Sequence, residues 1–121
     1  MCRRPSWNTC CWAAWPDMPG ADAALFAVRF HDRVDRLPVR QAQMPAHLAW
    51  LENHQDQVLV AGSLRTVPET PAVGALWVVR ADNRAAVQAL VETDPFWLHG
   101  LRASCEILHW LKAFPGRTNP V

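Results

Sequence analysis

Two side chains in this 121-residue chain have the types and surroundings that suit proton transfer: His47 and Asp94. Imidazole titrates near neutral pH, with an ordinary pKa of about 6.5, so a placed histidine can both take and give a proton. A carboxylate bonded to one ring nitrogen fixes the tautomer and stabilises the imidazolium once it forms. That assigns His47 as general acid/base and Asp94 as its orienter. The reverse assignment, with Asp94 as base and His47 binding a substrate oxygen, uses the same two groups. A purely structural reading stands beside both: His47 bonded to a backbone carbonyl, and Asp94 capping a short helix. Ser63 and Ser104 lack the strand–turn–helix elbow that exposes a serine nucleophile. The best reaction class is therefore proton abstraction next to a carbonyl, with elimination or isomerisation.

Secondary structure must hold these groups. Residues 23–31 alternate, with Phe26, Val28 and Phe30 on one face and Leu25, Ala27, Arg29 and His31 on the other, which predicts a first strand. Asp32 to Leu37 is charged and unpatterned and reads as a loop. A helix follows within Pro38 to His54. Pro38 suits its first position, whereas Pro45 requires a helix start or a bend there. His47, Leu48, Trp50 and Leu51 recur at helical spacing and place His47 at the border of a buried stripe. Residues 57–66 form a second strand, in which Gly62 marks a bulge or a close approach. A turn bearing two prolines leads to a third strand, Val73 to Arg80, pairing back as a hairpin. Asp82 is the expected N-cap of a second helix. That helix ends at Thr93-Asp94-Pro95, because the residue before proline avoids helical geometry. After a short helical turn, the stretch from Leu101 to Lys112 forms a fourth strand. It carries Leu101, Ala103, Cys105 and Ile107 on one face and Arg102, Ser104 and Glu106 on the other.

This order predicts an α+β domain of ferredoxin-like βαββαβ type, a four-stranded antiparallel sheet with two helices on one face. The other face needs cover, and Trp77 and Trp110 are large enough to serve there. A homodimer through the open sheet face is the expected solution. His31 and His109 fall on strands expected to be neighbours and are candidates to join a pocket. His54 and His99 read as surface or structural residues.

Composition narrows the function classes. Half of the residues are hydrophobic and 19% are charged, which suits one globular domain rather than a disordered chain. A net charge of +1 leaves no footprint for nucleic acid. No apolar run approaches the roughly 18 residues of a membrane span, so a cytoplasmic protein is expected. Cys2, Cys10, Cys11 and Cys105 have neither zinc-ligand spacing nor a disulfide framework, and the histidines form no recognised ligand set, so no metal is expected. Cys105 reads as a small core residue. Residues 1–17 share neither periodicity and make a poor signal peptide, because Asn8, Thr9, Pro16 and Asp17 interrupt any apolar core. They read as an extension outside the domain, with Met18 a natural start, the domain at 18–115 and a loose tail at 116–121.

Three stretches carry a resemblance: Pro45-Ala46-His47-Leu48-Ala49-Trp50-Leu51, Leu59-Val60-Ala61-Gly62-Ser63-Leu64, and Thr93-Asp94-Pro95-Phe96 followed by Gly100. In order and spacing, the chain from about Leu25 to Trp110 resembles the YciI-like (YCII-related) proteins of the dimeric α+β barrel group. The resemblance implies a ferredoxin-like fold, a dimer, and a site containing His47 and Asp94. Met44 stands where the family often has arginine, and Arg40 lies one turn earlier as a candidate for that charge. Ser63 stands where proline is common, and His109-Trp110 lies near the family's usual Pro-Phe. Arg40, Ser63, His31 and His109 are the expected substrate-binding residues. Two functions follow. One is a small cofactor-free lyase or isomerase acting on a small carbonyl or aromatic compound. The other is a non-catalytic dimeric ligand-binding or accessory module.

Overall fold

Alternation of large apolar residues along the first strand sets the layer structure. The computed structural model describes residues 24–117. Strand β1 (Ala24–Asp32) turns Phe26, Val28 and Phe30 fully inward. After a 3₁₀ turn at Val34–Arg36 come helix α1 (Leu37–Asn53), strands β2 (Val58–Leu64) and β3 (Gly74–Ala81), helices α2 (Arg84–Val91) and α3 (Pro95–Leu98), and strand β4 (Arg102–Trp110). The sheet order is β2-β3-β1-β4 with every pair antiparallel, which is the ferredoxin-like arrangement. The N-terminal extension read at residues 1–17 lies outside the described residues. Among the described residues, no helix is long and apolar enough to cross a membrane.

Register decides which face each residue occupies. Trp77 pairs with Val28, Val79 with Phe26, and Ile107 with Val28, so all share the helix-bearing face. Val87, Leu90 and Val91 of α2 and Trp50 of α1 close over them to form the core. Trp77 was expected to cover the open face. It is instead in the core, edge-on to Phe30 and stacked on Trp50 with ring centroids 5.2 Å apart. Trp110 does lie on the open face, opposite Leu25. Val60, Leu76 and Leu108 are exposed on the same face.

Local details refine the expected elements. Helix α1 runs through Pro45 without a break. Pro45 and Gln41, whose carbonyl it leaves without its helical partner, are both exposed, so the lost hydrogen bond falls on the solvent side of the helix. The buried stripe of α1 is His47 and Trp50, with Leu51 partly buried, while Leu48 faces solvent. The cap of α2 is Asn83 rather than Asp82, and its side chain accepts the Ala86 N–H at 2.8 Å. β3 continues to Ala81 opposite Ala24, which shifts the helix start by one residue. The irregularity in β2 falls between Val58 and Val60, not at Gly62, where a Cβ would meet open space.

Candidate active site

The sequence Asp94-Pro95-Phe96 builds half of the site, and each residue has a separate task. Proline restricts the residue before it to extended geometry, and Asp94 adopts φ −64° and ψ 129°. That geometry makes Asp94 the N-cap of α3, with Pro95 in the first turn, where a missing N–H costs nothing. Asp94 Oδ1 accepts the Phe96 N–H at 3.3 Å. The same oxygen accepts a hydrogen bond of 2.7 Å from His47 Nδ1. Asp94 is fully buried and His47 is 7% exposed. The Phe96 ring lies flat against the imidazole, with centroids 4.0 Å apart and planes inclined by 14°. Capping and histidine binding, read from sequence as alternatives for Asp94, therefore coexist.

An ionised carboxylate only accepts, so neutral His47 carries its proton on Nδ1. Nε2 is then the basic nitrogen, and it makes no hydrogen bond among the described residues. A further link holds the two elements in place. Trp50 Nε1, one turn along α1, donates to Thr93 Oγ1 at 3.0 Å, and Thr93 donates to the Leu90 carbonyl at 2.8 Å.

Behind Asp94 lies a charge ladder that the strand pattern concealed. Arg102 Nε faces Asp94 Oδ2 at 3.6 Å, and both side chains are completely buried. The Arg102 guanidinium sits between the Phe30 and Phe96 rings, 4.3 and 5.0 Å from their centroids. Its Nη1 donates to Asp32 Oδ1 at 2.9 Å. Asp32 Oδ2 in turn accepts from Arg40 Nη1 at 3.0 Å. Arg40 also lies over Phe96, 5.3 Å from the ring centroid. Burial pulls the Arg40 guanidinium below its ordinary value, Asp32 opposes this, and the charges of Arg102 and Arg65 add to it.

Simple alternation placed Arg102 with Ser104 and Glu106 on the open face. His31 pairs with Ser104, but Asp32 pairs with Arg102, so Ala103 is an extra residue in β4. Such a bulge turns the following side chain to the other face. Asp32, expected in a loop, ends β1 on the helix-bearing side and receives Arg102 there. One sequence signal pointed to this pair: antiparallel pairing of β1 with β4 brings the end of one beside the start of the other, and these carry opposite charges.

The remaining candidates are dispersed. Arg40 reaches the ladder. Ser63 is exposed and pairs with Ala75, hence lies on the helix-bearing face. His31 is on the open face, where its Nε2 approaches Glu106 Oε1 at 3.4 Å. His109 is on the opposite face against Phe26, with centroids 4.5 Å apart. His31 pairs with Ser104, roughly 16 Å along β4 from His109, so the two do not share a pocket. The two histidines lie on neighbouring strands but at opposite ends and on opposite faces. Cys105 packs against the core, and burial raises its thiol pKa, so it is held as the neutral thiol. Among the described residues, no group of three or more His, Cys, Asp or Glu stands together to hold a metal ion.

The chain resembles the structure of 5-chloro-2-hydroxyhydroquinone dehydrochlorinase (TftG) from Burkholderia phenoliruptrix AC1100 in complex with 2,5-dihydroxybenzoquinone. The two are 30% identical, with a TM-score of 0.66, over 72% of this chain and 93% of that one. A Bacteroides thetaiotaomicron protein assigned to the antibiotic biosynthesis monooxygenases is 16% identical with a TM-score of 0.52, over 84% of this chain and 99% of that one, a likeness of fold alone. No curated protein sequence matches the chain. The YCII-related domain family matches residues 24–111. The chain therefore belongs to the YCII-related family.

Proposed function

We propose that the protein is a small lyase acting on a hydroxylated aromatic compound, with His47 as general acid/base and Asp94 as its orienting partner. The observation that carries this reading is the buried 2.7 Å bond from His47 Nδ1 to Asp94 Oδ1, which leaves Nε2 to exchange a proton with a substrate. The similarity to a dehydrochlorinase complexed with a dihydroxybenzoquinone supports the choice of substrate class.

The chemistry balances without an oxidant. His47 Nε2 takes a proton from a ring hydroxyl, and Asp94 stabilises the imidazolium. The imidazolium returns that proton to the ring carbon bearing the leaving group, giving a keto tautomer. Loss of a second hydroxyl proton to His47 then expels the leaving group as an anion and leaves a quinone. The net change is loss of one acid HX. Arg40 and Ser63 are the proposed contacts for substrate oxygens. His31 and His109, separated by the sheet, are not both available to one small ligand.

The exposed apolar residues Val60, Leu76, Leu108 and Trp110 support a homodimer formed through the open sheet face. Sedimentation at micromolar concentration tests this, and a monomer would reject it.

The functional test is a screen of halogenated hydroquinones, catechols and quinones, reading anion release and quinone absorbance. His47→Gln is expected to lower turnover by about 10²–10⁴-fold with fold intact. Binding without turnover by the wild type would favour the ligand-binding module instead.

A further inference from the structure

Five polar side chains form a closed ring that begins and ends on α1. From His47 the ring passes to Asp94 before α3, to Arg102 on β4, to Asp32 at the end of β1, and back through Arg40 to α1. Arg40 and His47 are two turns apart on the same helix face, so the ring braces one side of α1. Its charges alternate: Asp94 and Asp32 are negative, Arg102 and Arg40 positive.

Arg102 is the least accounted-for member. Its side chain is completely buried, and its Nε and Nη2 make no hydrogen bond among the described residues. Asp94 Oδ2 is likewise unpartnered, 3.6 Å from Nε. With no counter-charge behind it, a carboxylate sealed from water would draw His47 into the imidazolium form and remove the free base. The two phenyl rings lie against the guanidinium and Asp32 binds its Nη1, which leaves Nε 3.6 Å from Asp94 Oδ2. A bulge at Ala103 is the backbone device that delivers the side chain to this spot.

We propose that Arg102 and Asp32 are positioning residues that set the working charge state of the His47–Asp94 pair, Arg102 by offsetting part of the Asp94 charge so that His47 stays available as a base, Asp32 by holding and partly neutralising Arg102. This rests on the assignment of His47 as the proton carrier. The charged groups around His47 are Asp94 before α3, Arg102 on β4, Asp32 on β1 and Arg40 on α1. Arg65, just past β2, acts on Arg40 by charge alone.

The test is an NMR pH titration of the His47 ring in the full-length protein, with the signal assigned by its loss in His47→Gln. It needs no substrate, so a failed search for turnover leaves it standing. Arg102→Met removes a positive charge, makes the imidazolium easier to form, and is expected to raise the His47 midpoint by about 1 pH unit. Asp32→Asn removes a negative charge and is expected to lower it. Arg102→Lys restores charge and is expected to return the midpoint most of the way to the wild-type value. A merely structural brace predicts no such opposite pair of shifts. Midpoints that stay within about 0.2 units of wild type, or that move in the same direction, would overturn the proposal. If Arg102→Met does not fold, Asp32→Asn decides alone: a downward shift supports the proposal, and no shift or an upward one rejects it.

Discussion

Asp94→Asn separates the charge of Asp94 from its shape. The amide oxygen of asparagine still accepts from the Phe96 N–H and from His47 Nδ1, so the cap of α3 and the histidine tautomer are retained. What disappears is the negative charge beside the imidazolium. At 2.7 Å and an effective dielectric constant of about 20, that attraction amounts to about 6 kcal/mol. Arg102 at 3.6 Å already offsets part of it, and the asparagine dipole retains a little more. A net loss of about 4 kcal/mol in the transition state corresponds to about 10³-fold in kcat/KM. Stability falls too, by about 2 kcal/mol, because Arg102 keeps Asp32 but loses its second counter-charge. Asp94→Ala also removes the cap and costs a further 1 kcal/mol or so. Steady-state kinetics on a hydroxylated aromatic substrate, paired with urea unfolding, measures both effects. A folded Asp94→Asn protein within threefold of wild-type kcat/KM would refute the role of the carboxylate.

Two further outcomes follow from the fold. Gly74 sits opposite His31 between the central strands, and an added Cβ would strike the Phe30 carbonyl, so Gly74→Ala is expected to lower stability by about 2 kcal/mol or more in urea unfolding. Burial raises the Cys105 thiol above its ordinary value of 9.0, so the folded state keeps this proton where the unfolded chain releases it. Its contribution is therefore complete below pH 9.0 and is lost as pH rises through the folded value, and Cys105→Ala is expected to flatten this part of the alkaline stability profile.

The strand and helix order was legible because each element carries its own period: two along β1 and β4, and three to four along α1. The motif around Asp94 was also legible, because Asp-Pro-Phe specifies a cap, a first-turn proline and a buried ring in consecutive residues. Arg102 was hidden because one extra residue, Ala103, reverses the facing of its neighbour, and alternation carries no mark of where a bulge falls. Trp77 was misplaced for a related reason. Large size argues for burial, but only its pairing with Val28 says on which face. His31 and His109 failed to meet because neighbouring strands share residues only at matching register. Asp32, at the end of a strand, looked like loop charge until β4 supplied its partner.

In the proposed reaction His47 carries the proton. The most direct measurement compares the wild type with His47→Gln on a hydroxylated aromatic substrate, following ligand binding and turnover in the same sample. His47→Gln is expected to bind still but to lose turnover by about 10²-fold or more. Equal turnover by the two proteins would contradict it.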